Sequence, residues 1–84
     1  MATPDFAKCI QVALETASLV TQGAPKDRLL EAADRASACV DELASSASEA
    51  SQSGDEATYQ VYRHLIGACQ SAALAAYRQA TRKS

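Results

Sequence analysis

Tryptophan is absent, and there is one phenylalanine, one histidine, two prolines and three glycines in 84 residues. So few turn-formers exclude an all-β domain and a low-complexity linker. No apolar run approaches the 18 or so residues of a membrane span, which predicts no membrane partner. No basic segment followed by an apolar stretch opens the chain, so no signal peptide is expected. The net charge of −2 and pI near 5.2 argue against a nucleic-acid partner. Three cysteines are an odd and sparse set, unlike a secreted disulfide framework, and predict reduced thiols in a cytoplasmic protein. Catalytic motifs are missing as well. There is no phosphate-binding glycine loop, no carboxylate–histidine metal spacing and no evident nucleophile–base pair, so no enzymatic activity is expected.

Alanine supplies 19 residues and serine nine, a third of the chain between them. Large aliphatics and Phe number only 14, so three helices built on them would be marginal alone. The punctuation divides the chain into three helices, at about 4–22, 25–52 and 55–81. Thr3, Pro4 and Asp5 supply an N-cap, a first-turn proline and a first-turn acid. Gly23 is placed for a left-handed C-cap, and Pro25 opens the second helix. Gly54 ends that helix. Ser53 and Glu56 have capping-box spacing, with Asp55 as the rival N-cap of the third helix. Arg78, Arg82 and Lys83 complement the dipole at its end.

Apolar residues recur every three and four positions, as an antiparallel three-helix bundle requires. The stripes are Phe6, Ile10, Ala13, Ala17 and Val20 in the first helix, and Leu29, Ala33, Ala36, Val40, Leu43, Ala47 and Ala50 in the second. The third has Tyr62, Leu65, Cys69, Ala72 and Ala76. At about 25 cal/mol per Å² of apolar area, such Ala-lined seams stabilise far less than Leu-lined ones. Val12, Leu14, Leu19, Leu30, Val61, Ile66 and Leu74 fall off the stripes. A second contact face is their simplest use, with Leu14, Leu30, Ile66 and Leu74 as its expected interface residues. The expected partner is a second copy of the chain, completing a larger bundle, or another protein. Charge fits this: Glu31 to Glu56 holds seven acids against Arg35 alone, whereas Arg63 onward holds four bases and no acid. An acidic second helix could then approach the basic end of a dimer mate.

Cys9, Cys39 and Cys69 are spaced thirty and thirty apart, each about 14 or 15 residues from a turn centre. At 1.5 Å per residue this puts the three thiols at one height in the bundle. Three sulfurs in one layer are a donor set for Cu(I), or for Zn(II) with a fourth ligand. They are also small apolar groups that fit an Ala-rich layer. His64 stands five residues before Cys69, about 140° round the helix, and so does not share its face.

The segments Glu31–Cys39 and Gly67–Tyr77, with the turn from Ser51 to Asp55, resemble the cysteine-rich four-helix-bundle copper-binding and copper-storage proteins in their rhythm of Cys and Ala. The resemblance spans about half the chain and implies a helical bundle with copper as ligand. Most positions where that family has Cys are Ala or Ser here, so storage on many thiolates does not carry over. The residues therefore predict a small non-enzymatic bundle acting through a helix face, as an adaptor, chaperone or inhibitor, without a cofactor. The alternative is soft-metal binding at Cys9, Cys39 and Cys69.

Overall fold

A computed structural model of the chain describes residues 6–82. Helix α1 spans Phe6–Gln22, α2 spans Lys26–Gln52 and α3 spans Glu56–Arg82; among the described residues only 23–25 and 53–55 lie outside them. The three expected helices are present. The expectations for Thr3, Pro4, Asp5 and Lys83 fall outside the described residues.

Both turns are built alike, because both helices end on a glycine. Gly23 has φ 69° and Gly54 φ 77°, a region glycine enters without a Cβ penalty. At the first turn the Gly23 N–H donates to the Val20 carbonyl at 3.1 Å and the Ala24 N–H to the Leu19 carbonyl at 3.0 Å. At the second the Gly54 N–H donates to Ser51 at 3.2 Å and the Asp55 N–H to Ala50 at 3.0 Å. This paired closure is the Schellman motif, and it satisfies carbonyls that each helix end would otherwise leave open.

Pro25 differs by one position from the expectation. With ψ 153° it is not yet helical and caps α2 from outside, its carbonyl accepting from the Leu29 N–H at 3.1 Å. At the second turn Asp55, not Ser53, caps α3. Its Oδ1 accepts from the Thr58 N–H at 3.2 Å and its Oδ2 from the Thr58 hydroxyl at 2.7 Å. Ser53 instead turns back on α2, its hydroxyl donating to the Ala50 carbonyl at 3.1 Å.

The α2 stripe is buried as expected, with Val40 half-buried, and so is the α3 stripe, with Leu65 half-buried. The α1 stripe is corrected. Ile10 and Ala17 are exposed, while Cys9 and Thr16 are fully buried, with Phe6, Val12, Ala13, Leu19 and Val20 packed around the core. Steric fit accounts for the rotation: small Cys9 and Thr16 let α1 approach an Ala-lined partner more closely than Ile10 could. The Thr16 hydroxyl is satisfied there, donating to the Val12 carbonyl at 2.8 Å and lying 3.4 Å from the Ala32 carbonyl across the seam. Val12 and Leu19, off the expected stripe, thereby join the core.

Two apolar clusters fill the bundle. One surrounds the cysteines, Leu43 and Tyr62, whose ring lies 5.1 Å from that of Phe6; the other surrounds Leu29, Ala33, Ala36, Ala73 and Ala76 towards the Gly23 turn. Leu29 and Leu43 are the large aliphatics that are fully buried. With 17 residues against 27 in each of the others, α1 is about 15 Å shorter at 1.5 Å per residue. It runs parallel to α3, and both are antiparallel to α2, in a rod of 45 × 17 × 16 Å.

Candidate functional site

Each of the three helices contributes one cysteine to a single buried cluster, as the thirty-residue spacing predicts. All three thiols are free. The Cys69 thiol points at the Cys9 carbonyl, 3.8 Å away. Burial is the largest cause that pushes Cys9 up from its ordinary value of 9.0 to about 12, followed by its hydrogen bond with the Cys39 thiol and the fields of Cys39, Cys69 and Glu42. Burial, and then Cys39, pushes Cys69 up as well. A thiol is a nucleophile and a metal ligand as its thiolate, so these surroundings make both weak. Among the described residues no group of three or more His, Cys, Asp or Glu side chains is placed to hold a metal ion. His64 is exposed, on another side of α3 from Cys69. Arranged this way, the cysteines pack as small apolar groups in one cluster with Leu43 and Tyr62.

The surface shows the opposite economy. Four large apolar residues stand in water: Leu14 at 67% exposure, Leu74 at 55%, Val61 at 49% and Ile10 at 45%. A bundle that fully buries two leucines exposes four side chains of similar size. Three of these lie on one side. Ile10 and Leu14 form a ridge on the side of α1 next to α3. Beside them a groove of about 440 Å³ runs between the two helices, lined by Ala13, Leu14, Ala17, Ala68, Ala72 and Ala75. Val61 stands seven residues, two turns, before Ala68 and continues that side of α3, with the exposed His64 between them. Thr21 and Ser71 are the polar residues of the groove, and no charged side chain lines it. At its Gly23 end the Gln79 amide donates to the Val20 carbonyl at 3.3 Å, tying α3 to α1.

The two other grooves differ in kind. Between α1 and α2, Glu15, Arg28, Glu31 and Arg35 make a charged channel. Between α2 and α3, Ser37, Val40, Asp41, Gln70, Leu74 and Tyr77 line one stretch. The next stretch contains Ile66, with the Arg63 guanidinium 5.8 Å from the centre of the Tyr59 ring. The expected interface residues are therefore divided. Leu14 lies on the charge-free α1–α3 groove, and Ile66 and Leu74 on the mixed α2–α3 side. Ile66 and Leu30 are half-buried, packed against the two core clusters. Sequence reasoning missed Ile10 as a surface residue because it shares its four-residue spacing with the true core. The signal that finds the charge-free side is the absence of Lys, Arg, Asp and Glu at 10, 13, 14, 17 and 21 in α1 and at 61, 68, 72 and 75 in α3.

The acids Glu31, Asp34, Asp41, Glu42 and Glu49 are exposed on α2, the helix that the α1–α3 side faces away from. The molecule thus has an acidic back and an apolar front. No helix of the described residues is long and apolar enough to cross a membrane. Comparison of the chain with protein-family models, with curated proteins and with solved structures returned no match.

Proposed function

We propose that the protein is a non-enzymatic interaction module that docks a protein partner on the α1–α3 side, in the manner of an adaptor, chaperone or inhibitor. The observation that carries this is the charge-free groove flanked by the exposed Ile10, Leu14 and Val61. Clustered exposed apolar surface on a small protein marks a contact site more often than scattered residues do. A groove between two helices accepts the apolar stripe of a third, anchored by residues three and four apart. A photo-crosslinking residue placed at Leu14 is expected to join the protein to a protein partner in cell extract, whereas the same residue at Asp41 stays unlinked. Crosslinks from Asp41 and none from Leu14 would refute the assignment.

A second reading rests on the convergence of Cys9, Cys39 and Cys69 in one cluster. Soft-metal binding there requires the thiols to turn towards a common point and to release protons that burial holds in place. Titration with Cu(I) against a chromophoric competitor tests it. Tight binding lost on replacing the three cysteines by alanine supports the metal, and no competition by the unaltered protein refutes it.

A further inference from the structure

Resting on that reading of the α1–α3 side, we infer that its occupant is a second copy of the chain, paired by a two-fold axis that runs parallel to the helices. The side carries both halves of a self-complementary contact at one level of the bundle. Ile10 and Leu14 project from α1, and the small Ala68, Ala72 and Ala75 hollow out α3 next to them. Rotation by 180° about an axis between α1 and α3 exchanges the two helices laterally and keeps their height. The Leu14 ridge of each copy then enters the alanine trough of the other. An isologous contact of this kind must be its own complement, and a ridge beside a trough is the simplest surface that meets the condition.

Charge agrees with the same arrangement. The groove holds no charged side chain, so pairing buries no like charges. The α2 acids, which would repel a second copy, lie on the far side of each protomer. The last turn of α1 holds no basic residue of its own, and Arg28 shares its groove with Gln22 only on the α2 side. The last turn of α3 holds exposed Arg82. Gln79 and Val20 are in contact, so Arg82 stands at the height of Gln22. The rotation carries it next to the α1 end of the partner copy. The area sets the strength. A strip one short helix long (about 25 Å) and one helix pair wide (about 18 Å) covers roughly 450 Å² per copy, about 900 Å² in all, below the roughly 1,200 Å² of stable specific interfaces and in the range of weak, transient contacts. Such a contact gives a weak, exchanging dimer.

Sedimentation equilibrium on the purified chain, from micromolar to millimolar concentration, tests the proposal. The expected average mass climbs from that of the 8.8 kDa chain towards twice that value. Leu14→Asp is expected to weaken association about tenfold or more, because pairing would bury a charge. Leu74→Asp, on the other side of α3, leaves it unchanged. Ala17→Glu is a second variant on the same groove, and circular dichroism confirms that each variant stays helical. Orientation is read by disulfide trapping. A mixture of Leu14→Cys and Ala75→Cys proteins is expected to form the mixed disulfide in preference to either self-linked product. A monomer throughout, or a dimer indifferent to both groove variants, would overturn the proposal. Self-linking of Leu14→Cys without the mixed product would overturn the two-fold arrangement. A monomer that still crosslinks from Leu14 to another protein refutes the second copy alone, and leaves the docking side standing.

Discussion

Cys9, Thr16, Cys39 and Cys69 occupy the positions where a larger bundle would place leucines. Their small volumes let the helices close up, and leave stability to a few larger side chains. Leu43 is fully enclosed between the cysteines, Ala47 and Tyr62. Leu43→Ala is expected to cost about 2–5 kcal/mol, enough to bring so small a core close to unfolding, as a urea melt would show. Loss below 1 kcal/mol would mean that the surrounding alanines collapse into the space. The thiols give a second test at this scale. Cys9 is held protonated up to about pH 12, whereas in the unfolded chain it ionises near 9. Across that window the unfolded state binds fewer protons than the native one, so native stability falls as pH rises from 9 to 12. Below pH 9 both states are protonated and Cys9 adds no dependence. Denaturant midpoints at pH 8 and pH 10.5 should differ in that direction, and Cys9→Ala should reduce the difference, leaving the part that the raised Cys69 thiol supplies. Native protein should also react with an aromatic disulfide reagent only as fast as the bundle opens. Immediate labelling of the three thiols would contradict their burial.

The helices themselves make opposite predictions for one substitution. Gly54 needs positive φ to close its Schellman turn, so Gly54→Ala should destabilise by about 1 kcal/mol. Gly67 lies inside α3 with nothing within 4 Å of where a Cβ would stand, and its φ is not positive. Gly67→Ala should therefore stabilise by about 0.5–1 kcal/mol through helix propensity alone. Thermal melts of the two variants should move in opposite directions, and equal shifts would refute the assignment of the turn. Helix boundaries were legible because Gly23, Pro25, Gly54 and Asp55 act locally, each through its own backbone or side chain. Which face α1 buries was not. The spacing that selects Ile10, Ala13 and Ala17 differs by one position from the spacing that selects Cys9, Val12 and Thr16. The choice between them depends on how closely α2 and α3 approach, which no local pattern records. In α2 and α3 only one stripe is continuous, and reading it from sequence succeeds.

At the scale of the molecule, an acidic back on α2 and a charge-free front on α1 and α3 set the direction from which a partner approaches. The cysteine layer was readable from distances to the turns, since antiparallel helices convert equal offsets into equal heights. The front was only half readable. Leu14 could be recognised as surplus to the core, but its neighbours Ile10 and Val61 become a patch only when α1 and α3 are set side by side. Backbone amide shifts of isotope-labelled protein, followed through a dilution series, test the central claim most directly. The account predicts that concentration-dependent shifts gather at Ile10, Leu14, Ala17, Ala68 and Ala75 and spare Glu31, Asp34 and Asp41. Shifts centred on α2, or on Ile66 and Leu74, would contradict it.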